Sequence, residues 1–300
     1  MLNVIVLSGG ASSEREISLR SGAAVAEALR AKGYDVDSAD PADSLEALLP
    51  RLKAANVVFP ALHGAGGEDG VLQKFLENHN IKYVGSSSQA SGLCFDKTRY
   101  SKLLETHSID QPRTALVNYE AFQISDLSKA PFVLKPNNGG SSIDTFIVHD
   151  ILHTPTNAIA QAFKRYDTLL LQELIKGVEI TVGVLGDKAL PVIEIIPPAN
   201  QDFDYENKYN GATQELCPPQ HLSASVQAKA QSLARRIHEL TGCNHMSRTD
   251  MIVNNKNELV VLETNTIPGL TDQSLLPKAA ACSGIDMPTM VSQLVETAAA

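Results

Sequence analysis

The chain has 300 residues, 43% of them hydrophobic and 20% charged, and its formal net charge is -9 at pH 7. This composition is typical of a soluble globular protein with one to three domains, and it excludes disordered, fibrous and disulfide-stapled classes. The acidic balance argues against a nucleic-acid partner, and no apolar run approaches the roughly 20 residues of a membrane-spanning helix.

The cysteines and the chain start predict a cytoplasmic location. The four cysteines share no metal-site spacing and suit a reducing compartment as small buried thiols; they are Cys94, Cys217, Cys243 and Cys282. The start lacks a basic region followed by a cleavage site, so it is predicted to be a strand rather than a signal peptide.

Strands alternate with helices in the first part of the chain. The predicted elements are strands at 3–7, 56–62 and 81–84, and helices at 45–54 and 71–78. A further helix follows the first strand, with Ser13 and Glu16 at the spacing of a capping box and its end at Lys32-Gly33. This alternation predicts an α/β fold with a parallel, Rossmann-like sheet in a domain of residues 1–90.

The rest of the chain is richer in strands and is divided into a central domain, 91–185, and a carboxyl-terminal domain, 186–300. The central domain has a predicted helix at 96–107 and strands at 132–135, 168–172 and 178–185. The last domain has a polar loop at 200–213, a helix at 223–240, two strands and a final helix.

Those two strands, 246–253 and 258–263, carry a set of polar residues. In a tight hairpin centred between Lys256 and Asn257, two pairs would lie opposite each other on one face: Asp250 with Glu263, and Arg248 with Asn265. Two carboxylates and an amide oxygen suit Mg²⁺. The alternative is a solvated strand face with an arginine–carboxylate ion pair, and spacing alone does not decide between them.

A Pro268-Gly269 turn follows the hairpin. A backbone N–H at Gly269 beside the Arg248 guanidinium would suit the oxyanion of a tetrahedral intermediate. An ordinary Pro-Gly turn is the alternative.

Phosphate binding is predicted without a standard motif. Neither the P-loop nor the G-x-G-x-x-G pattern occurs, which removes the main support for a nicotinamide dehydrogenase. Lys97, Lys135 and the loop 139–142 remain as candidate phosphate ligands, because such a loop can present backbone N–H groups. A plain turn is the alternative.

Two loops of the first domain lie where α/β folds place ligands, after strands. One carries Glu14 behind Gly9-Gly10, and the other is the glycine-rich segment 61–70 with His63. A lone histidine is more often structural than a ligand.

Together these motifs resemble the D-alanine–D-alanine ligase family of the ATP-grasp superfamily. Seven motifs in the family's order carry the resemblance: Gly9-Gly10-x-Ser12-x-Glu14, His63-Gly-x-Gly66-Gly67-Glu68-Asp69-Gly70, Asp96-Lys97, Lys135-Pro136 with Gly140-Ser141-Ser142, Asp204-Tyr205-x-x-Lys208-Tyr209, Arg248-x-Asp250, and Glu263-x-Asn265-Thr266-x-Pro268-Gly269. The resemblance implies an ATP-grasp fold and a cytoplasmic enzyme of cell-wall (peptidoglycan) synthesis. It also implies a homodimer with no membrane or nucleic-acid partner, using ATP, D-alanine and two Mg²⁺ or Mn²⁺ ions.

The implied reaction has two steps. The first D-alanine's carboxylate attacks the γ-phosphate to give an acyl phosphate, and the second D-alanine's amine then displaces phosphate. The implied catalytic residues are Glu14, Ser141, Tyr209, Arg248 and Gly269. Those implied around the substrates are His63, Lys208, Ser274 and Leu275. Those implied for ATP are Lys97, Lys135, Ser142, Gln172 and Glu179, and for metal Asp250, Glu263 and Asn265.

Three positions depart from the family pattern. Asp144 stands where the family has glycine, and Gln172 where it commonly has glutamate. His245-Met246-Ser247 replaces a glycine and an aromatic before the arginine. If Asp144 faces the phosphates, its charge weakens ATP binding. These departures leave two alternatives open: a ligase with another amino-acid or hydroxy-acid acceptor, and a nucleotide-binding homologue that senses rather than catalyses.

Overall fold

A computed structural model of the chain describes residues 2–42, 44–140, 144–198 and 213–300. In these ranges the chain forms three β-sheets with helices packed on them, in agreement with the predicted α/β class. No helix within the same ranges is both long and apolar enough to cross a membrane.

The amino-terminal unit is a parallel sheet of three strands in the order β2-β1-β3. Its elements are β1 (Asn3–Leu7), α1 (Arg15–Ala31), β2 (Asp35–Ala39), α2 (Leu45–Ala54), β3 (Val57–Pro60) and α3 (Val71–Asn78). The apolar runs of β1 and β3 are almost fully buried, as expected for strands covered on both faces.

Three details of this unit differ from prediction. Strand β2 was not predicted, because its residues are polar and mostly exposed at the sheet edge. The predicted strand at 81–84 is only a bridge between Val58 and Tyr83. The capping box is wrong: α1 has Glu14 at its N-cap without a side-chain cap, and Ser12 Oγ accepts from the Glu14 N–H.

Two helices connect this unit to the rest, α4 (Ser88–Phe95) and α5 (Lys97–Thr106). Asp96 caps α5 by accepting hydrogen bonds from the backbone N–H groups of Thr98 and Arg99. The prediction missed α4 and placed the start of α5 one residue early. Tyr100 of α5 is buried in the same core as Val182 and Met251, which belong to the carboxyl-terminal part of the molecule.

The central unit is an antiparallel sheet of four strands in the order β4-β7-β5-β6. Its elements are β4 (Thr114–Val117), α6 (Tyr119–Ile124), β5 (Phe132–Lys135), β6 (Phe146–Val148), α7 (Thr156–Arg165) and β7 (Leu169–Glu173). One face packs in its own core with Phe132, Leu134 and Leu171. Since side chains alternate along a strand, the other face carries Lys135 and Gln172.

The third sheet has six strands, with β11-β10-β8-β12-β13 in line and β9 paired with β8. Its elements are β8 (Gly177–Leu185), β9 (Lys188–Ala189), β10 (Ile193–Ile196), β11 (Gln214–Leu216), α8 (Ala224–Thr241), β12 (Met246–Asn254) and β13 (Leu259–Asn265). One face packs on α8 and α5 through Val182, Met251 and Val261. The predicted boundary at 185 lies between β8 and the strands with which it pairs.

The final helices, α9 (Leu275–Cys282) and α10 (Met287–Ala299), return to the amino-terminal unit. Met290 and Leu294 of α10 share a core cluster with Val4 and Phe59 of the parallel sheet. The last helix of the chain therefore packs against the first sheet of the chain.

Candidate active site

The polar residues of the β12–β13 hairpin lie on one face, as predicted. Asp250 pairs with Glu263, and Arg248 pairs with Asn265. Because directly opposed residues share a face, the two carboxylates and the amide project from the same side of the six-stranded sheet.

The hairpin reaches this pairing through a β-bulge. Near the turn Met251 pairs with Val261. The centre of the turn is therefore at Lys256, and not between Lys256 and Asn257 as predicted. The register then shifts, which leaves Leu262 as an extra residue in β13 and brings Glu263 opposite Asp250. The predicted turn centre is therefore wrong, although the predicted pairing is confirmed.

Asp250 and Arg248 form an ion pair on this face. Arg248 Nε donates to Asp250 Oδ1 at 2.9 Å and its terminal nitrogen to Oδ2 at 2.8 Å. The Thr181 hydroxyl of β8 donates to the same Oδ1 at 2.5 Å. The two charged side chains are 14% and 12% exposed, so this bidentate pair is shielded from solvent. The ion pair of the sequence alternative is thus present beside the Glu263 carboxylate, but the face that carries it is not solvated.

Lys97 joins three parts of the predicted site. Its Nζ donates to the carbonyl of Gly139 at 2.6 Å and lies 3.5 Å from Oε2 of Glu263. The cavity at this point is lined by residues of all three units, among them Glu68, Gly140 and Asn265. A predicted phosphate lysine, the glycine loop and a predicted metal ligand therefore meet.

Glu14 is buried at the start of α1, between two glycines of other segments. A Cβ atom on Gly64 would lie 2.7 Å from Glu14 Oε2, and one on Gly140 would lie 2.9 Å from it. Asp40 orders the preceding loop by accepting from the N–H of Gly10. Glu14 is thus held where the first and central units approach each other.

Glu68 is a site residue that the sequence reasoning did not assign. Its Oε2 accepts from the Gly64 N–H at 2.7 Å. The pKa of Glu68 is raised to about 8, first by burial and second by the nearby Glu14 carboxylate. The Glu263 carboxylate adds to this rise, and the Arg248 charge opposes it. The glycine-rich motif contained this residue, but its charged neighbours are distant in sequence.

His63 is a buried link between the first unit and the loop after β13. Its Nε2 forms a 2.9 Å hydrogen bond with Ser21 Oγ, and its ring also hydrogen-bonds the backbone of Ile267. Burial lowers the pKa of His63 to about 4, and the Arg248 charge adds to this effect. The imidazole is therefore neutral at physiological pH, and a contact of His63 with substrate stays a prediction.

The Pro-Gly turn leads directly into α9. Ser274, the N-cap residue of α9, accepts from the Thr271 N–H at 3.1 Å, and a Cβ on Gly269 would lie 2.7 Å from its hydroxyl oxygen. Leu275 is the first residue of the helix and is buried. The turn therefore brings the Gly269 backbone next to the helix N-terminus that carries Ser274 and Leu275.

Three of the predicted nucleotide ligands, Lys135, Gln172 and Glu179, lie on strands of two sheets. Lys135 ends β5, and Gln172 of β7 donates from Nε2 to Thr114 Oγ1 at 3.0 Å. Glu179 is on β8, two residues before Thr181 and hence on the sheet face that carries Asp250.

Two departures from the family pattern have structural explanations. Asp144 has φ +53° and accepts from Arg165 at 2.5 Å and from the Tyr166 hydroxyl at 2.7 Å. Its carboxylate is thus occupied by cationic and hydroxyl partners at the end of α7. His245 has φ +60°, and its Nδ1 accepts from the Gly85 N–H at 2.8 Å. Both residues adopt a backbone conformation that favours glycine.

Four predicted site residues lie outside the described ranges: Ser141, Ser142, Lys208 and Tyr209. Their roles stay predictions.

Comparison with known proteins covers almost the whole chain. Residues 39–86 match the family described as "D-ala D-ala ligase N-terminus", and residues 103–296 match "D-ala D-ala ligase C-terminus". A D-alanine–D-alanine ligase of Syntrophobacter fumaroxidans is 42% identical over 99% of this chain and 97% of its own. D-alanine–D-alanine ligase B of Mesorhizobium japonicum is 38% identical over 99% and 97%.

Solved structures give the same result. A D-alanine–D-alanine ligase from Bacillus anthracis, complexed with ATP, has a TM-score of 0.85 at 30% identity and covers 99% of this chain and 97% of its own. The VanG D-Ala:D-Ser ligase from Enterococcus faecalis has a TM-score of 0.82 at 26% identity and covers 99% of both chains.

Proposed function

The chain belongs to the D-alanine–D-alanine ligase family and has its ATP-grasp fold, and on that premise we propose that it joins two D-alanine molecules while ATP is converted to ADP and phosphate. The product would be the dipeptide used as a peptidoglycan precursor. The observation that carries the proposal is the meeting of Lys97, Gly139 and Glu263 beside the Asp250 carboxylate.

The chemistry requires an activated carboxylate. A free carboxylate is a poor electrophile, so transfer of the γ-phosphoryl group first turns it into an acyl phosphate with phosphate as leaving group. Lys97 and Lys135 would balance the charge of the phosphates, since lysine acts as a compact point charge. The Gln172 oxygen would accept from the adenine amino group while its nitrogen donates to Thr114.

Substrate positioning falls to the residues around Glu14. Its buried carboxylate would bind the ammonium group of the first D-alanine, with Ser141 and Tyr209 as hydrogen-bond partners. Attack by the second amine then gives a tetrahedral oxyanion, which Arg248 and the Gly269 N–H would stabilise. Ser274, Leu275 and Lys208 would surround the second substrate. The segment with Lys208-Tyr209 would exclude water that hydrolyses the acyl phosphate.

The residues of the hairpin fit a divalent ion. Asp250, Glu263 and Asn265 supply hard oxygen donors on one face, which is the ligand chemistry of Mg²⁺ or Mn²⁺. We propose that these residues hold two ions, which would neutralise phosphate charge when bound. Both Asp250 oxygens accept from Arg248, so a metal ion bound there would lie beside the guanidinium charge.

The acceptor is the least constrained part of the proposal. The similarity to a D-Ala:D-Ser ligase favours, as second candidate, a ligase with another amino-acid or hydroxy-acid acceptor. A non-catalytic sensor was considered because the charge of Asp144 would weaken ATP binding if it faced the phosphates. Asp144 is instead paired with Arg165 and Tyr166, which removes that reason.

Product analysis tests the function directly. Purified protein with ATP, Mg²⁺ and D-alanine should release phosphate and form the dipeptide, and a Glu263→Ala variant should not. Parallel assays with D-serine and D-lactate identify the preferred acceptor. No phosphate release above the variant would contradict the proposal, and a better acceptor than D-alanine would favour the second candidate.

We also propose a homodimer in the cytoplasm and three domains, with β8 assigned to the carboxyl-terminal domain because it pairs within the six-stranded sheet. Gel filtration with light scattering tests the first of these proposals.

A further inference from the structure

Asn137, just after β5, makes four side-chain hydrogen bonds to described residues. Its Oδ1 accepts from the Thr98 N–H at 2.9 Å and from the Thr98 hydroxyl at 2.7 Å. Its Nδ2 donates to Asp96 Oδ1 at 2.9 Å and to Asn138 Oδ1 at 2.8 Å. The amide thus uses both its oxygen and its nitrogen, and three of these four bonds reach the start of α5.

Backbone contacts reinforce the same connection. The Lys97 N–H donates to the Asn137 carbonyl at 3.3 Å, and Asp96 and Asn138 form an isolated β-bridge. Lys97 Nζ then donates to the carbonyl of Gly139. The loop after β5 is therefore attached to α5 by main chain and side chains together.

These contacts connect two cores. Asn137 continues from β5, whose Phe132 and Leu134 lie in the core of the four-stranded sheet. Helix α5 is anchored by Tyr100 and Leu104 in the core of the six-stranded sheet. The Asn137 amide therefore determines how the end of the four-stranded sheet meets α5, a helix that packs on the six-stranded sheet.

Each side of this connection carries a predicted phosphate ligand. Lys135 is two residues before Asn137, and Lys97 lies between Asp96 and Thr98, the residues that Asn137 contacts. We propose that Asn137 is a positioning residue that holds Lys135 and Lys97 at the spacing needed to bind the phosphates of one nucleotide. This inference rests on the proposed function, because it assumes that both lysines bind ATP.

The chemistry of the side chain makes Asn137 hard to replace. Alanine would lose all four hydrogen bonds. Aspartate would keep the acceptor for Thr98 but place a second carboxylate against Asp96, where like charges repel. Since a phosphate contact depends on the position of each ammonium group, a small change in lysine spacing weakens binding without changing either lysine.

The test measures nucleotide binding and kinetics in Asn137→Ala, with Asn138→Ala as matched control. Asn138 is exposed, and its side chain accepts only from Asn137 among the described residues. In Asn137→Ala we expect the Kd for Mg²⁺–AMP-PNP and the KM for ATP to rise about five- to tenfold. The KM for D-alanine should stay close to wild type, although the four lost hydrogen bonds lower the melting temperature. Asn138→Ala leaves the three bonds to α5 in place, so it should keep wild-type nucleotide binding and kinetics.

A second variant keeps the test valid if Asn137→Ala folds poorly. Thr98→Val removes one hydroxyl donor to Asn137, so it should raise the KM for ATP by about two- to threefold. In the double variant, Thr98→Val should add nothing to Asn137→Ala.

The outcomes separate this inference from the proposed function. If wild type binds nucleotide and Asn137→Ala binds it equally well, the inference alone is overturned. An equal rise in the KM for D-alanine, or an equal effect of Asn138→Ala, would also overturn it, because either result indicates a general structural role. Failure of wild type to bind nucleotide would overturn the proposed function, and this inference with it.

Discussion

At the scale of single residues, two glycines determine where the Glu14 carboxylate can lie. Gly64 and Gly140 come from different units, and a Cβ on either would approach Glu14 Oε2 more closely than 3 Å. Bare backbone is required on both sides of a buried carboxylate. At Gly140 the close approach is the physical reason for glycine, whereas Gly64 also has φ +73°, a backbone conformation that favours glycine.

Gly140→Ala is therefore expected to displace Glu14 and raise the KM for D-alanine by about tenfold or more, with a smaller effect on the KM for ATP. Steady-state kinetics with each substrate varied measures the difference. Gly139→Ala is the control, because its Cβ would lie at an ordinary 3.7 Å from Pro136 Cβ. Equal effects of the two variants would contradict the prediction.

Asp144 provides a second prediction at this scale. Its carboxylate is bound by Arg165 and Tyr166, so Asp144→Gly should leave the KM for ATP within about twofold of wild type. Asp144→Ala should be less stable than Asp144→Gly by about 1 kcal/mol, because alanine is strained at a positive φ. Urea unfolding and ATP kinetics measure both effects. A severalfold fall in the KM for ATP in Asp144→Gly would show that the charge acts on the phosphates.

At the scale of elements, irregular features place the functional side chains. The bulge at Leu262 brings Glu263 opposite Asp250, and Asp96 both caps α5 and accepts from Asn137. A buried carboxylate also holds the segment before α8: Glu194 of β10 is 1% exposed. Its carboxylate accepts from the N–H groups of Gln220 and His221 and contacts the His221 ring at 2.7 Å.

Glu194→Ala should lower the free energy of unfolding by about 2–4 kcal/mol, because two backbone donors lose a buried acceptor. Glu194→Gln should cost less, since both backbone N–H groups donate to the same oxygen, Oε2, and the amide oxygen can take its place. Equilibrium denaturation of the three proteins measures the order. A loss below about 1 kcal/mol in the alanine variant would contradict this account.

At the scale of the whole molecule, the amino-terminal unit is joined to the rest by buried polar contacts as well as by apolar packing. Ser21 of α1 bonds the His63 ring and accepts from the Leu270 N–H at 3.3 Å. His63 in turn bonds the backbone of Ile267. His245 makes a similar contact with Gly85. The relative position of the first unit thus depends on neutral histidines.

The pH dependence of stability follows from His63. Its pKa falls from 6.5 in the unfolded chain to about 4 in the folded protein, so the unfolded state binds the extra proton between these values. This contribution to stability is present above pH 6.5 and is lost as the pH falls toward 4. Between pH 7.5 and pH 5 the loss amounts to about 2 kcal/mol.

His63→Gln should remove that part of the pH dependence. The difference in unfolding free energy between wild type and variant should therefore shrink by about 2 kcal/mol from pH 7.5 to pH 5. Denaturation at the two pH values measures it. A difference independent of pH would show that His63 titrates normally in the folded protein.

Prediction from sequence succeeded where a pattern is local. Strand β1 and helices α2 and α3 were predicted with their observed bounds, because apolar spacing and end signals lie within each segment. Strand β2 has no such spacing, since only its neighbour β1 makes it a strand. The hairpin face was predicted correctly, but the bulge was not, because a bulge depends on packing across the sheet.

The sequence by itself determined the order of the elements and the kinds of functional group at their ends, since backbone preferences and side-chain chemistry are local properties. Only the tertiary structure decided which of these groups meet. Glu68 acquires its raised pKa from Glu14, and Lys97 binds Gly139 beside Glu263, because folding brings together residues that are remote along the chain. Burial then changes their charge and bonding, and burial is a property of the folded molecule as a whole.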